Sequence, residues 1–185
     1  MMKNFWKLLF DQREKTCVQI PLEVKGELYV SPMPFGPYDQ QNTLLKVYKR
    51  NRIEFVVVLV TDDELKHKAK QDLLSIYRKN NMEAIRLPVA DYTSPDLHHV
   101  TKVVDLVSGY LRAGAHVAVH CNAGVGRTGV VTCCIVRDIM QIPAQEAIDY
   151  VKQYMQTNMT DEQMRLVGRF HTMTEEVEAQ AKEAR

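Results

Sequence analysis

Two reactive side chains six residues apart, Cys121 and Arg127, enclose the run Asn122-Ala123-Gly124-Val125-Gly126, and Thr128 and Gly129 follow directly. The two glycines let so short a segment curl with successive backbone N–H groups pointing inward. A helix starting just after the loop would add unpaired N–H donors and the positive end of its dipole. Arg127 adds a planar fork able to hold two oxygens of one oxyanion. The same field would favour a thiolate at Cys121, below the free-cysteine pKa of about 8.5. The spacing therefore describes a bowl for a phosphate-like anion with a sulfur nucleophile in it.

The flanking elements put this bowl where ligands are bound. His116-Val117-Ala118-Val119 reads as a buried strand before the loop, and Val130 to Val136 as a buried helix after it. Ile53 to Val60 is nearly continuous and β-branched, as in a parallel strand covered on both faces. Thr61-Asp62-Asp63-Glu64 fits a capping box opening one long amphipathic helix through Leu65, Ala69, Leu73 and Ile76, with Lys66, Lys68 and Lys70 on its solvated face. Glu83 to Leu87 reads as the next strand and 88–95 as a loop. Ser94 as cap and Pro95 at the first helical position would then start a helix reaching Gly114. Earlier, Val18 to Ile20 and Glu27 to Val30 are short strands, the proline-rich stretch 31–37 is a loop and possible cleft wall, and Asn42 to Asn51 carries a helical face. Helices over about 128–140, 143–156 and 161–180 close the chain. Strands alternating with amphipathic helices predict an α/β fold, a small mostly parallel central sheet flanked by helices, with ligands beyond the carboxyl ends of its strands.

Other readings of the loop are weaker. Gly124-Val125-Gly126-Arg127-Thr128-Gly129 matches a dinucleotide-binding fingerprint and Asp149 has the acidic spacing, but no strand follows the helix. A buried structural cysteine beside a turn does not account for the arginine and hydroxyl at fixed offsets. A proton donor would lie on a neighbouring loop at the same sheet edge, where Asp91 and Asp96 compete; a position early in a helix suits Asp96 to stabilising the dipole.

The run His120 to Gly129 resembles the H-C-x-x-G-x-x-R-[ST] motif of the cysteine-based protein tyrosine phosphatase superfamily, and length and motif order resemble its compact dual-specificity branch. The resemblance implies a single phosphatase domain over 1–185 and hydrolysis of a phosphomonoester through a phosphocysteine at Cys121, without metal or cofactor. The phosphate would be held by Arg127 and the backbone of Asn122, Ala123, Gly124, Val125, Gly126 and Arg127. It favours Asp91 as general acid, since family acid loops place an aspartate four residues before a proline, here Pro95; the Trp-Pro-Asp triplet of the tyrosine-specific branch is absent. Thr128 would assist the sulfur, and Gln163 would position water, although Thr160 and Gln163 equally form a capping box. His120 reads as a hydrogen-bonder behind the loop, facing away from Cys121. Family members acting on phosphoinositides tend to carry lysines within the loop. None stands here, which tilts the reading toward phosphotyrosine in proteins or peptides, with phosphoserine and phosphothreonine possible. A phosphoinositide or small phosphomonoester phosphatase, a non-catalytic phosphate-binding module and another thiol enzyme are the alternatives.

Composition excludes several classes. A net charge of +1 gives no field for nucleic acid or a polybasic membrane contact. Cysteines at 17, 121, 133 and 134 have neither metal nor disulfide-framework spacing and point to a reducing cytoplasm, with Cys133 and Cys134 as packing residues or, less simply, a redox partner for Cys121. Residues 1–15 read as a short docking helix, and nothing has the length of a membrane span. The expected molecule is a cytoplasmic monomer.

Overall fold

The computed structural model describes residues 17–69 and 71–170. The proposed docking helix over 1–15 and Lys70 lie outside them, as do residues 171–180 of the last predicted helix, which stops at Arg169 with Phe170 already extended (ψ 119°). Five strands alternate with seven helices among the described residues: β1 Val18–Ile20, β2 Glu27–Ser31, α1 Leu44–Arg50, β3 Phe55–Val58, α2 Asp62–Lys68, α3 Leu73–Lys79, β4 Glu83–Arg86, α4 Leu97–Ala113, β5 His116–His120, α5 Arg127–Met140, α6 Ala144–Lys152 and α7 Asp161–Arg169. The strands form one sheet in the order β1-β2-β5-β3-β4. Only the β1–β2 pair is antiparallel; β2, β5, β3 and β4 run parallel.

Period-two alternation locks this sheet between two helical layers. Leu28, Val30, Val57, Val117 and Val119 point into a core shared with Val104, Val107, Leu111, Ile135, Ile148 and Val167. Their neighbours Tyr29, Val56, Val58 and Ala118 enter a second core with Tyr48, Leu73 and Tyr77. Each fully buried aliphatic chain contributes about 1.5–3 kcal/mol, so a one-residue slip of β5 would exchange its faces at prohibitive cost. Helix α5 is buried continuously from Arg127 to Asp138, on all of its faces.

Three local expectations are corrected. The long helix after Thr61 is two helices, because Ala69 is extended (ψ 131°) and Asp72 caps a new start by accepting the Ser75 amide. Helix α4 is capped by Asp96, whose carboxylate accepts the His99 amide at 3.0 Å, not by Ser94 with Pro95 as first residue. An aspartate one step beyond Ser-Pro offers a charged cap, which the helix dipole favours over a hydroxyl. Helix α6 stops at Lys152, short of the predicted 156. Gly114 ends α4 in the left-handed region (φ 105°), as its position predicts.

Candidate active site

Four parallel strands end at one edge of the sheet, and each delivers something to a single cavity. β5 leads into the Cys121 loop, β4 into the loop bearing Asp91 and Tyr92, and β2 into the loop bearing Tyr38; the cavity of about 80 Å³ is also lined by Arg127, Asn158 and Gln163. β3 leads into α2, whose Glu64 anchors Arg127 from behind.

The Cys121 loop is fixed on all sides. The Gly124 amide donates to Cys121 Sγ at 3.2 Å. Gly124 has φ +81°, and a Cβ there would fall 2.7 Å from backbone atoms of Ser31 and Pro32. Only glycine suits both the dihedral and the space. The Met33 amide donates to Asn122 O at 3.1 Å, and the Asn158 amide to Val125 O at 3.1 Å. Gly126 opens α5 without any side-chain cap, so the first turn of that helix leaves its donors toward the loop.

Behind the loop, His120 is fully buried. Its Nδ1 lies 3.1 Å from Cys121 O, an atom that can only accept, so Nδ1 carries the hydrogen. Nε2 is then the acceptor for the Tyr77 hydroxyl at 2.9 Å. Burial pushes the imidazole pKa down to about 4, against a smaller opposing pull from the Cys121 carbonyl, which keeps the ring neutral near neutral pH. His120 thus sits behind the loop, bonded to the second core, as strand alternation predicts.

Arg127 is 2% exposed and nearly saturated. Nη1 donates to Glu64 Oε2 at 2.6 Å and to Val89 O at 2.7 Å, and Nη2 donates to Glu64 Oε1 at 3.0 Å. Asp91 Oδ1 stands 3.1 Å from Nη2 as an ion pair. The Nε hydrogen is buried without a partner among the described residues. Burial works against the charge of Glu64, but hydrogen bonds from Arg127, Lys68 and the Thr61 amide outweigh it and hold the carboxyl at about 2. Burial likewise opposes the Arg127 charge and is outweighed by the Glu64 bond, so the guanidinium stays firmly protonated.

Of the residues singled out from sequence, Cys121, Asn122, Ala123, Val125, Gly126, Arg127, Asp91 and Gln163 line the one cavity, and Gly124 buttresses it. Thr128 is buried behind them, its hydroxyl without a hydrogen-bond partner among the described residues. Asp96 is the α4 cap and does not line this cavity. Gln163 does cap α7 with Thr160, as expected, and its Nε2 also donates to Thr93 O at 2.8 Å, tying α7 to the Asp91 loop. Cys133 and Cys134 are fully buried, and burial pushes the Cys133 thiol up to about 12 and the Cys134 thiol well above its usual value. Neither offers a reactive sulfur to pair with Cys121.

Sequence reasoning missed Glu64, Tyr38, Tyr92 and Asn158. The Glu64 carboxylate carried a misleading signal. It completes a genuine capping box with Thr61, and the oxygen serving that box also takes Arg127.

Comparison with known proteins places this arrangement in a family. The curated relatives include the phosphatidylinositol 3,4,5-trisphosphate 3-phosphatase cnrN of Dictyostelium discoideum, 32% identical over 100 residues that are 50% of this chain and 15% of that protein. Mouse cyclin-dependent kinase inhibitor 3 is 25% identical over 100 residues, 54% of this chain and 47% of that one. The chain thus spans less than half the length of either relative. Among solved structures, kinase associated phosphatase with its catalytic-site cysteine replaced by serine superposes with a TM-score of 0.74 at 19% identity, over 83% of this chain and 92% of that one, and so shares the fold. The family model described as "Polymorphic toxin system, DSP-PTPase phosphatase" matches residues 37–141, more than half of the chain and the whole span from the Tyr38 loop through α5; the chain belongs to that phosphatase family.

Proposed function

We propose that the chain hydrolyses phosphomonoesters through a phosphocysteine at Cys121, with phosphotyrosine in proteins or peptides as the main substrate. One observation carries the reading: a cysteine sulfur already accepting a loop amide at 3.2 Å shares one cavity with an arginine whose Nε hydrogen has no partner among the described residues. Glu64 takes the end-on pair of guanidinium nitrogens, which leaves the Nε–Nη2 edge for two oxygens of a phosphoryl group.

The chemistry follows from these positions. Cys121 Sγ attacks phosphorus, the S–P bond forms, and the P–O bond to the leaving group breaks. Loop amides of residues 122–127 and the open edge of Arg127 carry the charge on the equatorial oxygens, so positioning and electrostatics supply most of the acceleration. An incoming phosphate competes with Asp91 for Nη2. Displaced from the pair, Asp91 carries a proton drawn from solvent to the leaving oxygen. Ionised again, it accepts a proton from the water that attacks phosphorus and frees the sulfur. Gln163 holds the acid loop to α7 through Thr93. A nucleophilic thiol must stay reduced, which favours the cytoplasm as its working compartment.

The relatives include a phosphoinositide phosphatase, so a lipid headgroup is the second reading. Among the described residues Arg127 is the one cation lining this cavity, and its charge is balanced by Glu64 and Asp91; a polyphosphorylated headgroup finds no further cation among those residues. Turnover of para-nitrophenyl phosphate that resists chelator and is blocked by vanadate is the expected result. Cys121→Ser should abolish turnover and retain binding; full residual activity in that variant contradicts the proposal.

A further inference from the structure

The sheet ends on one side at β4, whose single strand neighbour is β3. The Glu83 amide donates to Glu54 O at 2.8 Å and the Leu87 amide to Val58 O at 3.2 Å, so residues 83, 85 and 87 turn their backbone groups toward β3. Ala84 and Arg86, in between, turn theirs away from the sheet. Among the described residues no loop or turn backbone takes them up. Such edges are commonly guarded by a proline, a bulge or a charge laid over them. β4 keeps regular register with β3, and Pro88 comes only after it. Nor does Arg86 lie over the edge: its Nη2 reaches across to Val60 O at 3.2 Å and Asp62 Oδ1 at 2.7 Å.

A groove runs along this edge beside α3, bordered by Leu74, Arg78, Met82, Glu83, Ala84 and Arg86. Strand alternation puts Ala84 and Arg86 on the α3 face and Glu83 on the other. Leu74 and Ala84 are half-buried against the second core and leave apolar surface in the groove. Two cations border that surface. Arg78 is exposed, and Arg86 keeps its Nη1 buried without a partner among the described residues. Acidic side chains, with their stems on the apolar surface and their carboxylates toward the guanidinium groups, complement this side. β4 also runs directly toward the loop that carries Asp91, so a chain laid along it points to the Cys121 cavity.

We propose that the free edge of β4 is a docking site for an extended acidic segment of the phosphoprotein substrate, which joins the sheet as a sixth strand and delivers its phosphorylated residue to the cavity; this rests on the phosphatase reading above. Main-chain hydrogen bonds to Ala84 and Arg86 supply the affinity, and alternate side chains entering the groove supply the choice of acidic residues. A segment preceding the phosphorylated residue would lie parallel to β4, and one following it antiparallel. A second copy of the chain fits the edge less well. Two β4 strands could pair only through Ala84 and Arg86, about a twofold axis normal to the sheet. That sets the Arg78 and Arg86 side chains of both copies on one face, like charge beside like charge.

The test uses a short phosphotyrosine peptide, alone or joined before or after the phosphotyrosine to Glu-Val-Glu-Val-Glu-Val. The flexible Gly-Ser linker has about ten residues, since the five residues of chain from Arg86 to Asp91 span at most about 18 Å. One of the two extended peptides should show a KM about tenfold lower than the short one at unchanged kcat. N-methylating its alternate residues separates a strand from loose attraction: methyls on one set, glutamates or valines, should remove the gain, and methyls on the other set should keep it. Ala84→Pro deletes only an outward N–H, so it should remove the gain and leave para-nitrophenyl phosphate turnover within twofold; Arg78→Glu should reduce the gain severalfold. In Cys121→Ser the extended peptide should slow hydrogen exchange at the Ala84 and Arg86 amides. A KM within twofold of the short peptide for both extensions, a gain that survives both methylated sets, or unchanged exchange at those two amides overturns the docking site. So does a dimer in sedimentation that Ala84→Pro dissociates, which would give the edge to a second copy. A wild type that hydrolyses neither the peptides nor para-nitrophenyl phosphate overturns the phosphatase reading instead.

Discussion

The two loops that face each other across the cavity are built in opposite ways. The segment from His120 to Arg127 has a fully buried residue at its start and a nearly buried one at its end, and β2, the 156–160 segment and α5 press on it from three directions. The segment from Leu87 to Asp96 is anchored at Val89, which donates to Leu59 O, and at Thr93, where Gln163 reaches it; between them the Asp91 side chain is 45% exposed. The contrast teaches a division of labour. The groups proposed to meet a phosphoryl oxygen to a fraction of an ångström are set by the core, whereas the proposed proton donor rides on a segment with little packed against it. Changes in the first loop should therefore damage stability and rate together, and changes in the second should damage rate alone.

The largest effect tests the exposed side. Asp91→Asn should lower kcat by about 10²–10⁴-fold while unfolding free energy stays within about 0.5 kcal/mol of wild type, as read by steady-state kinetics and urea denaturation. A matching loss of stability would erase the contrast. Next comes Glu64, the buried anchor: Glu64→Gln strips one partner from a buried ion pair and should cost about 3–5 kcal/mol of stability, with phosphate binding falling alongside. Gly124→Ala forces a Cβ into the Ser31–Pro32 backbone at a left-handed dihedral and should cost about 2–4 kcal/mol together with most of the activity.

The smallest effect is a pH dependence from the buried side. The unfolded chain binds a proton at His120 near pH 6.5, and the folded chain resists it until about pH 4. Between those values the unfolded state holds more protons, so stability present above pH 6.5 drains away as pH falls toward 4, by at most roughly 3 kcal/mol. Glu64 acts lower down, its contribution waning only as pH drops from about 4.5 toward 2. Denaturant midpoints at pH 7 and pH 5 resolve the first window, and a flat profile there would contradict a neutral buried imidazole.

What the sequence disclosed follows the same divide. The Cys121 loop is contiguous, so its residue types and spacing state its chemistry without any tertiary knowledge, and the strand before it is recognisable because both its faces are apolar. Glu64 stayed hidden because it lies 63 residues from Arg127 and already had a sufficient local role as a capping residue. Nor did periodicity reveal the break between α2 and α3, since Leu65, Ala69, Leu73 and Ile76 keep helical spacing while Asp72 restarts the helix. Tyr92 gave no signal either. A tyrosine in a loop is ordinary until its place at the cavity is known.

In the proposed reaction phosphorus is passed to one sulfur. Acid-quenching Asp91→Asn during turnover of para-nitrophenyl phosphate, whose leaving group needs no proton, and sequencing the peptides by mass spectrometry tests it directly. The expected result is a phosphoryl group on Cys121 in a substantial fraction of the enzyme. Continued turnover with Cys121 unmodified, or the phosphoryl group on any other residue, would contradict it.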